Sequence, residues 1–190
     1  MERAALYVTA ACWVVFYAYW LASAAFTKKT AVRESFIGSL SYRLPVVLAG
    51  IMLVYAPRMP RPMSGVVFPG TTPICVLVIA FSTTGLITCL WARITLGRNW
   101  SSVVLVKVDH KLVQAGPYRF VRHPIYSGII LMFAGIVLLF GRAVGILAFG
   151  LFVYGFVLKL RREERTMLKQ FPTAYPEYVK RTKLLVPFIV

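Results

Sequence analysis

Apolar residues come in long runs along this chain, and the runs predict its architecture before any single residue does. Roughly 20 apolar residues at 1.5 Å rise cross the ~30 Å hydrocarbon core of a bilayer. Ala4 to Phe26 carries no charge and predicts a first span rich in aromatics: Trp13, Phe16, Tyr17, Tyr19 and Trp20. A signal peptide is the competing reading, because Ala22-Ser23-Ala24 has the small-x-small look of a cleavage site. Against it, the run is longer than a signal h-region and is preceded only by Arg3, which Glu2 offsets. A second run from about Ser35 to Ala56 is interrupted by Arg43 and Pro45, and its apolar heart, Val46 to Tyr55, is short by itself. Pro57, Pro60, Pro62, Gly65, Pro69, Gly70 and Pro73 punctuate a loop, and Ile74 to Ala92 follows as the third span. Between Arg122 and Lys159 the one full charge is Arg142, which divides the stretch into Pro124 to Gly141 and Ala143 to Leu158. That pair predicts a helical hairpin with its tip at Gly141-Arg142. Its arms are only about 24 to 27 Å long, so snorkelling by Lys159 or local thinning is implied. Five spans result.

The pattern changes between the third and fourth spans. Val104-Leu105-Val106-Lys107-Val108 alternates before a turn at Asp109-His110, which predicts a short strand or hairpin at the membrane surface. Gly116-Pro117 marks a turn. Pro124 is suited to a first helical position, so His123 becomes the cap, with free N–H groups behind it that would favour an anion.

Composition agrees with residence in lipid. Of 190 residues, 59% are hydrophobic and 15% charged, and mean hydropathy is +0.73. The 22 Lys and Arg outnumber six acids for a net +16, which suits nucleic acid, anionic headgroups or an anionic small molecule. The apolar runs favour the last two, and no nucleic acid partner is expected. Sorting the basic residues by loop puts 18 on one side and four (Arg3, Arg58, Arg61 and Arg142) on the other. Alternation through five spans then predicts an outside N-terminus and a cytoplasmic C-terminus. Cys12, Cys75 and Cys89 lie in apolar stretches without C-x-x-C spacing, so no metal site and no disulfide scaffold are expected.

Candidate chemistry gathers at two places. Arg122, His123 and Tyr126 sit at the start of the fourth span, where such a cluster is costly unless it is paired or lines a polar cavity. The bland alternative is a capping histidine, a topology-anchoring arginine and an interfacial tyrosine. Directly after the fifth span come Glu163 and Glu164, two of the six acids, which cannot both face the same way on a helix. A solvated charge run is the alternative there. A pocket of Arg, His, Tyr and Glu beside lipid would suit a zwitterionic cofactor and an amphiphilic substrate; spacing alone does not name the cofactor.

GPYRFVRHPIYSG (116 to 128), the hydrophobic hairpin, Glu163-Glu164 and then FPTAYPEYVKRTKLLVPF resemble the isoprenylcysteine carboxyl methyltransferase family and the related phospholipid N-methyltransferases. LGRNWS (96 to 101) and HKLVQAG (110 to 116) extend the resemblance over about 91 to 188; the spans within 1 to 60 carry no such motif. The resemblance implies a single all-α integral membrane domain over 1 to 190. It would have about five transmembrane helices, the last two a hairpin, and a small cytoplasmic cofactor-binding segment. It also implies S-adenosylmethionine as cofactor without a GxGxxG loop, and none is present.

By the same resemblance, His110, Leu112, Val113, Gly116, Pro117, Tyr118, His123, Pro124, Tyr126, Glu163 and Glu164 would enclose the cofactor. Arg122, Glu163 and Glu164 would be catalytic, and Arg122, Lys159, Arg162 and Trp100 would meet the substrate. Many relatives place an arginine about one turn before the Glu pair where this chain has Lys159, and lysine lacks a bidentate fork. The expected activity is carboxyl methylation of a lipophilic, isoprenylcysteine-like acceptor at the membrane, with the site facing the cytoplasm. Other acceptors that fit are a free isoprenoid acid, a lipid amine and a small hydrophobic thiol. The competing functions are a phospholipid or amine N-methyltransferase, an isoprenoid or sterol reductase, and a non-enzymatic lipid-binding protein.

Overall fold

The computed structural model describes residues 1–24, 30–33, 35–97, 100, 105–107 and 112–186. In chain order the elements are α1 (Glu2–Ala24), β1 (Thr30–Arg33), α2 (Phe36–Tyr55), α3 (Thr72–Leu96), β2 (Leu105–Lys107), α4 (Pro124–Phe140), α5 (Ala143–Gln170) and α6 (Ala174–Arg181). Two 3-10 turns, 56–58 and 116–119, punctuate the loops. The protein is an all-α membrane protein apart from one short ribbon. Among the described residues four helices, namely α1, α2 with its 3-10 extension, α3 and α5, are long and apolar enough to cross a membrane; α4 is apolar but has only 17 residues. Their outward faces carry exposed Tyr7, Leu21, Ile37, Val54, Ile87 and Ile94, as lipid contact requires.

The second span is one continuous helix despite Arg43 and Pro45. Ser35 starts it by accepting the Gly38 N–H at 3.0 Å, a side-chain N-cap. Helix packing follows small residues. A Cβ on Gly85 of α3 would lie 2.6 Å from the Gly128 carbonyl oxygen of α4, and one on Gly128 would lie 2.6 Å from the Gly85 oxygen. These two glycines therefore let α3 and α4 touch backbone to backbone. Thr9 of α1 and Ser82 of α3 share a buried 3.1 Å hydrogen bond. Phe133 and Phe152, stacked at 3.8 Å, join α4 to α5.

The two ends of the bundle differ in kind. At one end Gly141, left-handed at φ 65°, closes the hairpin, and its carbonyl accepts from Val67 and Phe68 N–H at 2.7 and 3.0 Å. Arg142 Nη1 donates to Ser64 O, so the predicted tip is bound to the 63–68 loop. Gly70 packs on Glu2, which brings the N-terminus to the same end. The opposite end holds the ribbon, the 116–123 segment, the last three turns of α5, and α6. Arg142 thus lies at the first end, and among the described residues Arg119, Arg122 and the basic residues of α6 lie at the other.

The predicted strand around 104–108 is present as β2, but its partner is β1, antiparallel, with Thr30 opposite Lys107 and Arg33 opposite Leu105. The expected turn at Asp109-His110 lies outside the described residues. Helix α5 does not stop where its apolar stretch ends at Leu158; it runs on to Gln170 and carries the Glu pair beyond the membrane-spanning part.

Candidate active site

Five of the residues singled out by sequence meet at the start of α4. The His123 ring stands between the two carboxylates: Nε2 is 2.7 Å from Glu164 Oε1, and Nδ1 is 3.6 Å from Glu163 Oε2. Arg122 Nε donates to the same Glu164 oxygen at 3.0 Å, and the Tyr126 hydroxyl donates to Glu163 Oε1. Both carboxylates therefore face the site. One residue apart on α5 they diverge by about 100°, and they straddle the His123–Tyr126 edge, whose rings stack at 5.7 Å.

The histidine caps α4 only through its backbone, since its carbonyl accepts from Tyr126 and Ser127 N–H and no side-chain cap forms. Of the N–H groups expected free at the start of α4, those of Tyr126 and Ser127 are thus taken, and the N–H groups just ahead of Pro124 are paired as well. Arg122 N donates to Lys183 O at 2.8 Å and His123 N to Leu184 O at 3.1 Å. The 182–185 segment thus lies along 120–123, tied further by Arg122 Nη1 to Thr182 O and Ser127 Oγ to Leu185 O. Helix α6 braces this arrangement. Its Tyr175 hydroxyl donates to Glu164 Oε1, and Tyr178 donates to Tyr118 O at 2.6 Å.

Electrostatics follow from these contacts. Burial pushes the Glu164 carboxyl up, but hydrogen bonds from His123, Tyr175 and Arg122 outweigh that and hold it down to about 2. Burial raises the phenol of Tyr175, and its bond to Glu164 raises it further. Tyr118 and Tyr178 are raised for the same first reason. Three donors converge on Glu164 Oε1: Arg122 Nε, the His123 ring and the Tyr175 hydroxyl.

The remaining expected residues are placed as follows. Pro117 and Tyr118 are buried in the 116–119 turn, and Leu112 and Val113 are half-buried before it; His110 lies outside the described residues. Pro124 is buried at the first position of α4. Lys159 lies 5.1 Å from the Tyr126 ring and 5.8 Å from that of Tyr42, at the lipid edge of the cluster. Arg162 turns instead to α2, donating to Gly38 O and to Ser41 Oγ. Trp100 stands against Arg93 and Trp20, on the α1–α3 side.

Sequence reasoning missed Tyr175, Tyr178 and Thr182. All three lie in the FPTAYPEYVKRTKLLVPF stretch that carries the resemblance, and Tyr175 and Tyr178, three apart, share a face of a short helix, but neither signal says what lies opposite. No His, Cys, Asp or Glu group able to hold a metal occurs among the described residues.

Residues 76–169 match the model of the isoprenylcysteine carboxyl methyltransferase family. The chain is 34% identical over 101 residues to protein-S-isoprenylcysteine O-methyltransferase B of Arabidopsis thaliana, covering 52% of this chain and 51% of that one. Protein-S-isoprenylcysteine O-methyltransferase of Schizosaccharomyces pombe is 33% identical over 101 residues, 52% of this chain and 43% of the relative. The Saccharomyces cerevisiae protein of that name is 32% identical over 118 residues, 60% and 48% respectively. The chain spans about half the length of the curated relatives it matches.

Proposed function

We propose that this chain, which belongs to the isoprenylcysteine carboxyl methyltransferase family through residues 76–169, is a multi-pass membrane methyltransferase. It moves a methyl group from S-adenosylmethionine to the carboxylate of an isoprenylcysteine-like acceptor. The observation that carries the reading is the convergence of Glu163 and Glu164 on Arg122, His123 and Tyr126 at one end of the α4–α5 hairpin. The methyltransferase region is 91–188, with the spans in 1–60 as its membrane anchor. Its site faces the cytoplasm, where the cofactor arrives from water and a prenylated acceptor from the bilayer.

The chemistry of the donor set fits the cofactor. Two carboxylates gathered at one place suit an ammonium and a sulfonium. When bound, the cofactor supplies an electrophilic methyl group on sulfur. Glu163 and Glu164 would hold the ammonium, His123 and Tyr126 fix the two carboxylates, and Pro117 and Tyr118 wall the site. A carboxylate acceptor is already a nucleophile, so the chain moves no proton. Orientation and exclusion of water can lower the barrier by several kcal/mol.

The test is transfer of a labelled methyl group by the purified protein in lipid nanodiscs. The panel comprises S-prenylated cysteine carboxylates, a free isoprenoid acid, a small hydrophobic thiol and lipid amines. Carboxylates should be preferred; a clear preference for amines overturns the acceptor, and no binding of S-adenosylhomocysteine by calorimetry overturns the cofactor.

A further inference from the structure

Arg93, in the last turn of α3, is only 3% exposed. Its Nη1 donates to Gly97 O at 2.7 Å and its Nη2 to Ser23 O at 2.9 Å, which ties together the carbonyl ends of α3 and α1. Its Nε–H is buried without a hydrogen-bond partner. No acidic side chain pairs with it among the described residues, where the ion pairs involve Arg122, His123 and Lys180. The two helix-end carbonyls and the Trp100 ring compensate part of the charge. A guanidinium that served only as a clip between two helix ends would not, however, leave a buried Nε–H donor unpaired, which is expensive in a poorly solvated site. An anion is the group this arrangement lacks.

Its position says which anion. Cys89, one turn earlier on the same face of α3, donates to Ile125 O, so Arg93 lies about one helical turn beyond the start of α4, which carries His123 and Tyr126. The 116–119 turn packs on the same end of α3, with a Cβ on Gly116 meeting Thr95 and Trp91. Tyr118 in that turn is in electrostatic reach of both Arg93 and Glu163. The walls are aromatic. The guanidinium lies 4.5 Å from the Trp100 ring, which meets Trp20 edge to face at 5.9 Å, while the neighbouring Trp91 and Ile94 face lipid. Arg122, the obvious alternative, is already paired with Glu164 and Thr182 O.

We infer that Arg93, stacked on Trp100, receives the carboxylate of the lipid-borne methyl acceptor and so decides that acceptor's specificity. This rests on the carboxyl methyltransferase reading above. Trp100 provides the readout. An S-prenylated cysteine with a free carboxylate should change tryptophan emission, its carboxamide should bind at least tenfold more weakly, and Trp100→Phe should remove the signal. Arg93→Gln should abolish the preference for carboxylate over carboxamide, and Arg93→Lys should retain part of it, while both keep wild-type affinity for S-adenosylhomocysteine by calorimetry.

Retention of the preference in Arg93→Gln, or its loss in Arg122→Gln alone, overturns the assignment. Should Arg93→Gln fail to fold, wild type and Trp100→Phe still decide it: a carboxylate preference with no Trp100-dependent change is incompatible with binding at Arg93. A wild-type protein that shows the Arg93-dependent preference but binds no S-adenosylhomocysteine would support the anion site and reject the cofactor, so the two failures are distinguishable.

Discussion

Tyr175 donates its hydroxyl to Glu164 at 2.5 Å, so α6 fastens a residue of α5 on which Arg122 and His123 also converge. One hydrogen bond to a partly buried carboxylate contributes about 1 kcal/mol, roughly fivefold in affinity. Tyr175→Phe is therefore expected to weaken S-adenosylhomocysteine binding about fivefold and to lower the melting temperature by about 2 to 4 °C. Calorimetry on the detergent-solubilised protein measures it, and an unchanged affinity would remove Tyr175 from the positioning of Glu164.

Stability should form a plateau between about pH 4.5 and pH 10. Glu164 is depressed from 4.5 to about 2 in the fold, so its contribution is full above 4.5 and is lost as pH falls toward 2. Tyr175 and Tyr178 are raised above 10, so theirs is full below 10 and is lost as pH rises further. Melting temperature against pH should fall on both sides, with Glu164→Gln flattening the acid limb and Tyr175→Phe or Tyr178→Phe the alkaline one. An acid limb unaltered by Glu164→Gln would contradict the linkage.

Gly85→Ala and Gly128→Ala each place a methyl group 2.6 Å from backbone of the facing helix, which cannot move away cheaply. Each is expected to destabilise by about 1 to 3 kcal/mol. The double variant should cost less than the sum, because separation of α3 from α4 relieves both clashes. Thermal melts of the three variants test this, and additive costs would show that the two contacts are independent.

Single cysteines at Ser64 and Lys180, in a background with Cys12, Cys75 and Cys89 replaced by alanine, should label from opposite faces of the membrane. Ser64 is at the hairpin-tip end and Lys180 on α6 at the site end. With an impermeant maleimide on intact cells, Ser64→Cys should react and Lys180→Cys should not. The reverse pattern would place the site outside.

Much of the architecture was legible in the order of the residues. Five apolar segments, the hairpin tip at Gly141-Arg142 and the 18 to 4 division of basic residues are one-dimensional properties, because bilayer thickness and the cost of burying charge act on each segment by itself. The continuity of α2 through Pro45 was not legible, since the propensity that argues for a break is local, whereas packing of α2 against α5 through Gly155 is not. The pairing of β2 with β1 was likewise hidden, because a strand's pattern does not name its partner.

At the site, sequence alone determined which polar groups stand at the membrane boundary: Arg122, His123, Tyr126, Glu163 and Glu164 are conspicuous because lipid excludes such residues unless they are compensated. Tertiary structure alone decided that both carboxylates face the imidazole, that Tyr175 and the 182–185 backbone complete the cluster, and that Arg93 is the buried cation left without an acid among the described residues. The physical reason is that compensation is a property of neighbours in space. A tyrosine on a polar surface helix and an arginine in the last turn of a span are ordinary in sequence, and only the packing of α6 on α5 and of α1 on α3 determines which oxygen meets which proton.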